Sequence, residues 1–282
     1  MTTFKISSQI RYWDQSPTRK ISPRDRHGRT IEVAYFSLVQ FTGLSKHYPL
    51  PLLYSYKTKK LYLPLREKFM SLERGTIYEV GDMTFEGEIP QVQKTVDAPM
   101  FYFVYNMANY YHFIYDTLPY LFSYFNEKKI HPGMKLLVSP PEGQDDLYPF
   151  VWDSFNMLGI TRDDVVFLDS EVMYNHVCVS SSLTHNGLSN CPPHKGVFDI
   201  LNSMKSDYLG PEKIYISRRT WVHNKKDNIG TDYTERRRCM NEDQMVQIFK
   251  LYGFTEVFCE NLTMEQKIGM FRTAKYIAGP IG

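Results

Sequence analysis

No run of apolar residues in this chain approaches the roughly 20 needed to span a bilayer. The N-terminal stretch MTTFKISSQIRYWDQ has no apolar core of the kind a secretory signal carries, which makes the cytoplasm (a host's, if the chain is virus-encoded) the expected location. Cysteine is scarce: Cys178, Cys191, Cys239 and Cys259 are four in 282 residues, with no Cys-x-x-Cys pair. That spacing speaks against zinc and makes reduced thiols the expectation. Without secretion, the Asn261-Leu262-Thr263 sequon carries no meaning. An excess of one charge is also missing. Lys plus Arg number 33 against 31 Asp plus Glu, a formal net charge of +2. This is too near balance for bulk electrostatic capture of nucleic acid.

Aromatic residues, by contrast, are abundant: 15% of the chain, with 21 Tyr and 18 Phe. They fill cores, and they also line carbohydrate and nucleobase sites, where a flat face and a polar tip are both useful. The length allows two domains or one large one.

The densest aromatic stretch, Phe101 to Phe125, organises the rest. Phe101 to Tyr105 has the bulk of a buried strand. From Tyr111 onward the period changes: Ile114, Leu118, Leu121, Phe122 and Phe125 share one helical face, and His112 and Asp116, four apart, share the opposite one. Such a pair suits general base catalysis, the carboxylate taking a proton from a hydroxyl, and it equally suits a solvated helix face. Pro119 cannot donate to the Tyr115 carbonyl, so a kink is expected beside the pair.

Around this stretch the chain falls into a rhythm. Residues 1–30 read as an irregular arm, 31–41 and 59–65 as strands, and 79–90 as a weaker one, completing a first sheet. Strands at 134–139, 165–169 and 176–182 alternate with helices at 147–159 and 194–209, the pattern of an α/β layer. After Gly210-Pro211 comes a cleaner β-α-β-α-β run: strands at 213–218, 255–260 and 276–279, with helices capped by Asn241 with Gln244 and by Thr263 with Gln266. Met245, Ile248, Phe249 and Tyr252 are the expected inner face of the first helix, and Met264, Ile268 and Phe271 that of the second. Domains of 1–210 and 211–282 follow.

Ser217-Arg218-Arg219 stands at a strand tip, the edge at which open α/β sheets bind ligands, and two guanidiniums there suit a diphosphate. Arg236, Arg237 and Arg238 add charge before the next helix. Gly279, Pro280 and Gly282 form a turn where backbone can approach a phosphate, or else a plain chain end. Asp145-Asp146, Asp163-Asp164 and the loop holding His185, Asn186, Cys191 and His194 lack metal-ligand spacing, so no metal site is expected.

NYYHFIYDTLPYL, IYISRR, NEDQMVQIFKLYGFTEV and LTMEQKIGMFRTAKYIAGPIG, in that order and spacing, resemble family 61 glycosyltransferases over about residues 100–282. The resemblance implies a GT-B architecture of two Rossmann-like domains facing a cleft. It also implies inversion at the anomeric carbon and transfer of xylose, arabinose or N-acetylglucosamine from a nucleotide sugar. Asp116 would then be the base and His112 its orienting or acceptor-binding neighbour. Ser217, Arg218, Arg219 and Arg238, with backbone from Gly279 to Gly282, would hold the UDP of the donor. A glycan is the expected acceptor, with no prosthetic group, no metal, no nucleic acid and no membrane span. The family motif continues past the Gly-Pro-x-Gly turn, whereas this sequence ends at Gly282. It therefore reads as a truncated chain, or as a compact variant with a shortened donor domain, as would suit a viral or phage enzyme. A non-catalytic carbohydrate- or nucleotide-binding protein is the alternative, and an RNA-binding module using the 218–238 basic run a more distant one.

Overall fold

A computed structural model describes residues 3–12, 18–24, 30–42, 51–64, 69–71, 76–78, 84–105, 107–141, 143–184, 192–219 and 239–280. The fold is mixed α/β and divides into two compact units. The first holds residues 1–107, 111–145 and 161–201; the second holds 108–110, 146–160 and 202–282.

In chain order the first hundred residues supply β1 (Thr3–Tyr12), β2 (Thr18–Lys20), β3 (Glu32–Phe41), β4 (Leu53–Ser55), β5 (Lys60–Leu63), β6 (Phe69–Ser71), β7 (Thr76–Tyr78), β8 (Thr84–Pro90) and β9 (Lys94–Val96). There follow β10 (Met100–Tyr102), the short α1 (Tyr110–His112), α2 (Leu121–Ile130), β11 (Lys135–Val138), α3 (Pro149–Met157), β12 (Val165–Phe167), β13 (Val172–Ser180) and α4 (Lys195–Ser203). The chain continues through β14 (Lys213–Ile216), α5 (Glu242–Leu251), β15 (Thr255–Val257), α6 (Met264–Thr273) and β16 (Tyr276–Ala278).

The first unit is built on a sheet of 11 strands in the order β12-β11-β10-β13-β3-β4-β5-β1-β8, with β2 on β3 and β9 on β13. Its β12-β11-β10-β13 part is parallel, and β3 joins it antiparallel to β13. Residues 3–12 are thus no irregular arm. Phe4 and Ile6 turn inward with Leu52, Leu61 and Ile89, and β1 pairs antiparallel with β8 from Thr3 to Gln9 before joining β5 in parallel from Ile10 to Tyr12. Phe41, Tyr102 and Tyr174 pack at the centre, where the Phe41 and Tyr102 rings stack at 5.5 Å. Among the described residues of this unit, one carboxylate has no exposed surface at all. Glu127 of α2 is 0% exposed and accepts from the Arg19 guanidinium of β2 and the Tyr35 hydroxyl of β3. A buried charge needs such partners, since desolvation costs several kcal/mol per ion.

The expected helix from Tyr111 to Phe125 is broken. A π-helical turn spans Phe113–Thr117 and a 3-10 turn Leu118–Tyr120 before α2 begins. Pro119 accounts for this: without an N–H it cannot continue the i→i+4 ladder, so the chain widens before it and tightens after it.

The second unit carries the parallel sheet β15-β14-β16, linked by α5 and α6 in the expected β-α-β-α-β sequence. Thr263 and Gln266 form their reciprocal cap on α6. Asn241 and Gln244 do not: the Asn241 side chain caps nothing, and Gln244 N–H bonds the Asn241 carbonyl. The inner face of α5 is also rotated from the one expected. Glu242 and Val246 are buried, while Ile248 and Tyr252 are 50% and 69% exposed. The cause is Glu242, drawn inward to the tip of β14. In α6, Met264 is inside as expected, but Phe271 is outside and Gly269 and Met270 are inside. Gly269 sets that phase, because a Cβ there would lie 2.2 Å from the Tyr208 carbonyl oxygen.

Candidate active site

In the first unit, β10 and β13 are parallel neighbours, and the chain leaving their carboxyl ends carries the polar groups. Beyond β10 come His112 and Asp116; beyond β13 comes Ser181-Ser182-Leu183-Thr184. His112 Nδ1 lies 2.8 Å from Asp116 Oδ2, both side chains largely buried at 16% and 11% exposure. The pair therefore does not sit on a solvated helix face. Thr184, itself 3% exposed, donates its hydroxyl to Asp116 Oδ1 at 3.2 Å. Its N–H donates to Ser182 Oγ at 3.2 Å. Ser182 in turn hydrogen-bonds Tyr120, whose phenol burial pushes well above its ordinary pKa, the Ser182 bond offsetting part of the rise. Both carboxylate oxygens of Asp116 thus have hydrogen-bond partners, His112 at Oδ2 and Thr184 at Oδ1. Sequence reasoning passed over Thr184, which stands 68 positions from its partner.

In the second unit, the order β15-β14-β16 places the reversal of strand order between β14 and β16, and open α/β sheets bind ligands at the carboxyl ends beside such a point. Ser217-Arg218-Arg219 follows β14 there, and Gly279-Pro280 follows β16. Glu242, 3% exposed, shapes the first of these turns: its Oε1 accepts from Arg218 N–H at 2.8 Å and from Ser217 Oγ at 3.2 Å. The two arginines differ. Arg219 forks onto both oxygens of Glu256 (2.6 and 2.7 Å from Nη2) and also meets Asp243. Burial alone would push the Glu256 carboxyl up, but hydrogen bonds from Arg219 and Ser217, together with the positive charges of Arg219 and Lys250, hold the group below its ordinary value. No hydrogen bond or ion pair engages the half-buried Arg218 guanidinium among the described residues.

Gly279 is required by space rather than by a left-handed backbone. Its φ is not positive, and a Cβ would lie 2.7 Å from the Ile216 carbonyl oxygen of β14. Gly279→Ala is expected to push the tip of β16 off β14. That should cost about 1–3 kcal/mol of stability. A thermal melt checks this; an unchanged melting temperature would mean that the sheet absorbs the methyl group.

Arg236, Arg237, Arg238, Gly282, His185, Asn186 and Cys191 lie outside the described residues. His194 is buried and accepts from Gly196 N–H at 3.0 Å, in the first turn of α4. Asp146 accepts from Leu147 N–H and Trp152 Nε1, and Asp164 from Thr161 and Lys128. These are local structural roles. Among the described residues no three His, Cys, Asp or Glu side chains converge as metal ligands, and no helix is long and apolar enough to cross a membrane.

The chain is thus a mixed α/β protein with a buried His-Asp pair at one parallel-sheet edge and an arginine-bearing turn at another. The sequence model of the family described as Glycosyltransferase 61 matches residues 110–282, more than half of the chain. The protein is a glycosyltransferase, and it belongs to family 61. No curated protein and no solved structure matches it.

Proposed function

We propose that the protein is an inverting, UDP-sugar-dependent transferase of GT-B type that moves a sugar, xylose being the first to test, onto a glycan hydroxyl. What carries this reading is the His112–Asp116–Thr184 arrangement. Asp116 accepts from two donors, so it serves best as the orienting carboxylate. With His112 Nδ1–H donating to it, the imidazole lone pair stands on Nε2. This reading exchanges the roles expected from the sequence: His112 takes the acceptor proton and Asp116 steadies the imidazolium that forms. The acceptor oxygen bonds to the anomeric carbon, the bond from that carbon to the diphosphate oxygen breaks, and the proton passes to His112. One displacement of this kind inverts the centre.

The leaving diphosphate needs positive charge and donors. Arg218 offers a planar fork and the turn at Gly279-Pro280 a close backbone, with Arg238 and Gly282 candidates on sequence grounds; the Ser217 hydroxyl, buried and donating to Glu242, would meet a phosphate only by releasing that bond. Arg219, spent on Glu256 and Asp243, holds the turn and would meet a phosphate only by releasing one of them. Because arginine supplies the charge, no divalent metal is needed in this reading.

The test is a panel of nucleotide sugars scored for thermal stabilisation, since a bound ligand raises apparent stability by mass action. Turnover of the best donor is then measured with and without EDTA. UDP-xylose is expected to stabilise most, and transfer to survive excess chelator. Activity lost to EDTA and restored by manganese or magnesium would displace the arginine account.

A further inference from the structure

Tyr111, the residue before His112, is 62% exposed, unlike its half-buried neighbours Tyr110, His112 and Tyr115. Its ring centroid lies 5.2 Å from that of His112, the planes at 73°. Tyr115 stacks nearly parallel to it, at 5.7 Å and 17°. A phenol this exposed fills no core, yet this one is held by two ring neighbours, Tyr115 stacked parallel and the His112 imidazole steeply tilted to it. A sugar ring has the complementary shape, with an apolar face of C–H groups and a rim of hydroxyls. Laid on Tyr111, such a ring would bury its apolar face while a rim hydroxyl met the neighbouring imidazole. A serine or threonine side chain has no comparable face to offer.

We infer that Tyr111, backed by Tyr115, is the platform that binds the acceptor, and that the acceptor's terminal unit is a pyranose rather than a peptide hydroxyl. The inference rests on His112 being the proton-accepting group, and it assigns the binding surface beside it.

Saturation-transfer NMR tests it without requiring turnover. Methyl β-D-galactopyranoside, methyl β-D-glucopyranoside and methyl α-D-mannopyranoside serve as probes, with a short serine- and threonine-containing peptide as control. At least one glycoside is expected to receive saturation on its ring C–H protons. Tyr111→Ala should weaken that glycoside's binding about tenfold, and Tyr111→Phe should retain it. UDP affinity and melting temperature, read on the same variants, should stay at wild-type values, which separates loss of the platform from loss of the fold. Once an acceptor is in hand, Tyr111→Ala should raise its KM far more than it lowers kcat. The proposal is overturned if none of the glycosides binds the wild type, if Tyr111→Ala binds them as well as wild type does, or if the peptide alone shows saturation. Failure of His112 as base would instead appear as normal glycoside binding by wild type together with normal transfer by His112→Gln.

Discussion

Transfer by His112→Gln is expected to fall by two orders of magnitude or more, with UDP affinity and the melting temperature kept. A positioned general base is worth roughly 10²–10⁴ in rate, and Gln retains much of the size while offering no basic lone pair. Asp116→Asn should approach the same loss by a different route. An amide cannot accept from both His112 and Thr184 while balancing an imidazolium, so the ring loses its orientation and its counter-charge together. Thr184 bears on the reaction through Asp116, whose Oδ1 it meets at 3.2 Å. Thr184→Val should therefore cost less, about tenfold, and Thr184→Ser should recover most of it. Initial rates at saturating donor, beside UDP titrations, decide the matter. If His112→Gln turns over within a few-fold of wild type while Asp116→Asn is dead, the carboxylate is the base after all and the roles revert.

Arg218→Ala should weaken UDP binding by one to two decades. Removing one charge-assisted contact is worth about 1.5–3 kcal/mol, and a decade is about 1.4 kcal/mol. Arg219→Ala is expected to behave differently, although the two residues are adjacent and identical in type. Its guanidinium is 17% exposed and pairs with Glu256, 9% exposed. Its loss leaves a largely desolvated carboxylate answered, among the described residues, by Lys250, 3.5 Å away, and by a Ser217 hydrogen bond. That variant should lose about 1–3 kcal/mol of stability, with a smaller change in UDP affinity. Calorimetric titration with UDP and thermal melts of both variants separate the two outcomes. Equal loss of UDP affinity in both would mean that Arg219 leaves Glu256 to bind phosphate, and unchanged affinity in both would move the diphosphate to the 236–238 run.

Much of this was readable wherever the determinants are local. The Thr263–Gln266 cap, the β-α-β-α-β run and the stops at Gly159 and Gly253, both with positive φ, follow from residues within a turn of each other. So does the meeting of His112 and Asp116, which needs only a spacing of four. The Pro119 break follows from one missing N–H. What escaped was set at long range. The phase of α5 is fixed by Glu242 reaching Ser217 and Arg218, 25 and 24 positions earlier, and an apolar stripe cannot anticipate a carboxylate drawn inward. Residues 3–12 hide their strand because Phe4 and Ile6 alternate among lysine, serine and glutamine, and their partner β8 lies some eighty positions away. Thr184 had no local signal at all.

The place of β13 in the first sheet bears on where the family begins and where the fold does. The family's similarity starts at residue 110. Yet β13, inside that region, is flanked by β10 and β3, both of which come earlier in the chain. The buried carboxylate of Glu127 likewise depends on Arg19 and Tyr35. Cutting at the boundary of similarity would strip β13 of both neighbours and leave a desolvated charge unanswered, so that boundary is not a folding boundary. The first hundred residues lie outside the matched region, yet the fold cannot dispense with them: this polypeptide's matched part is cooperative with its unmatched one.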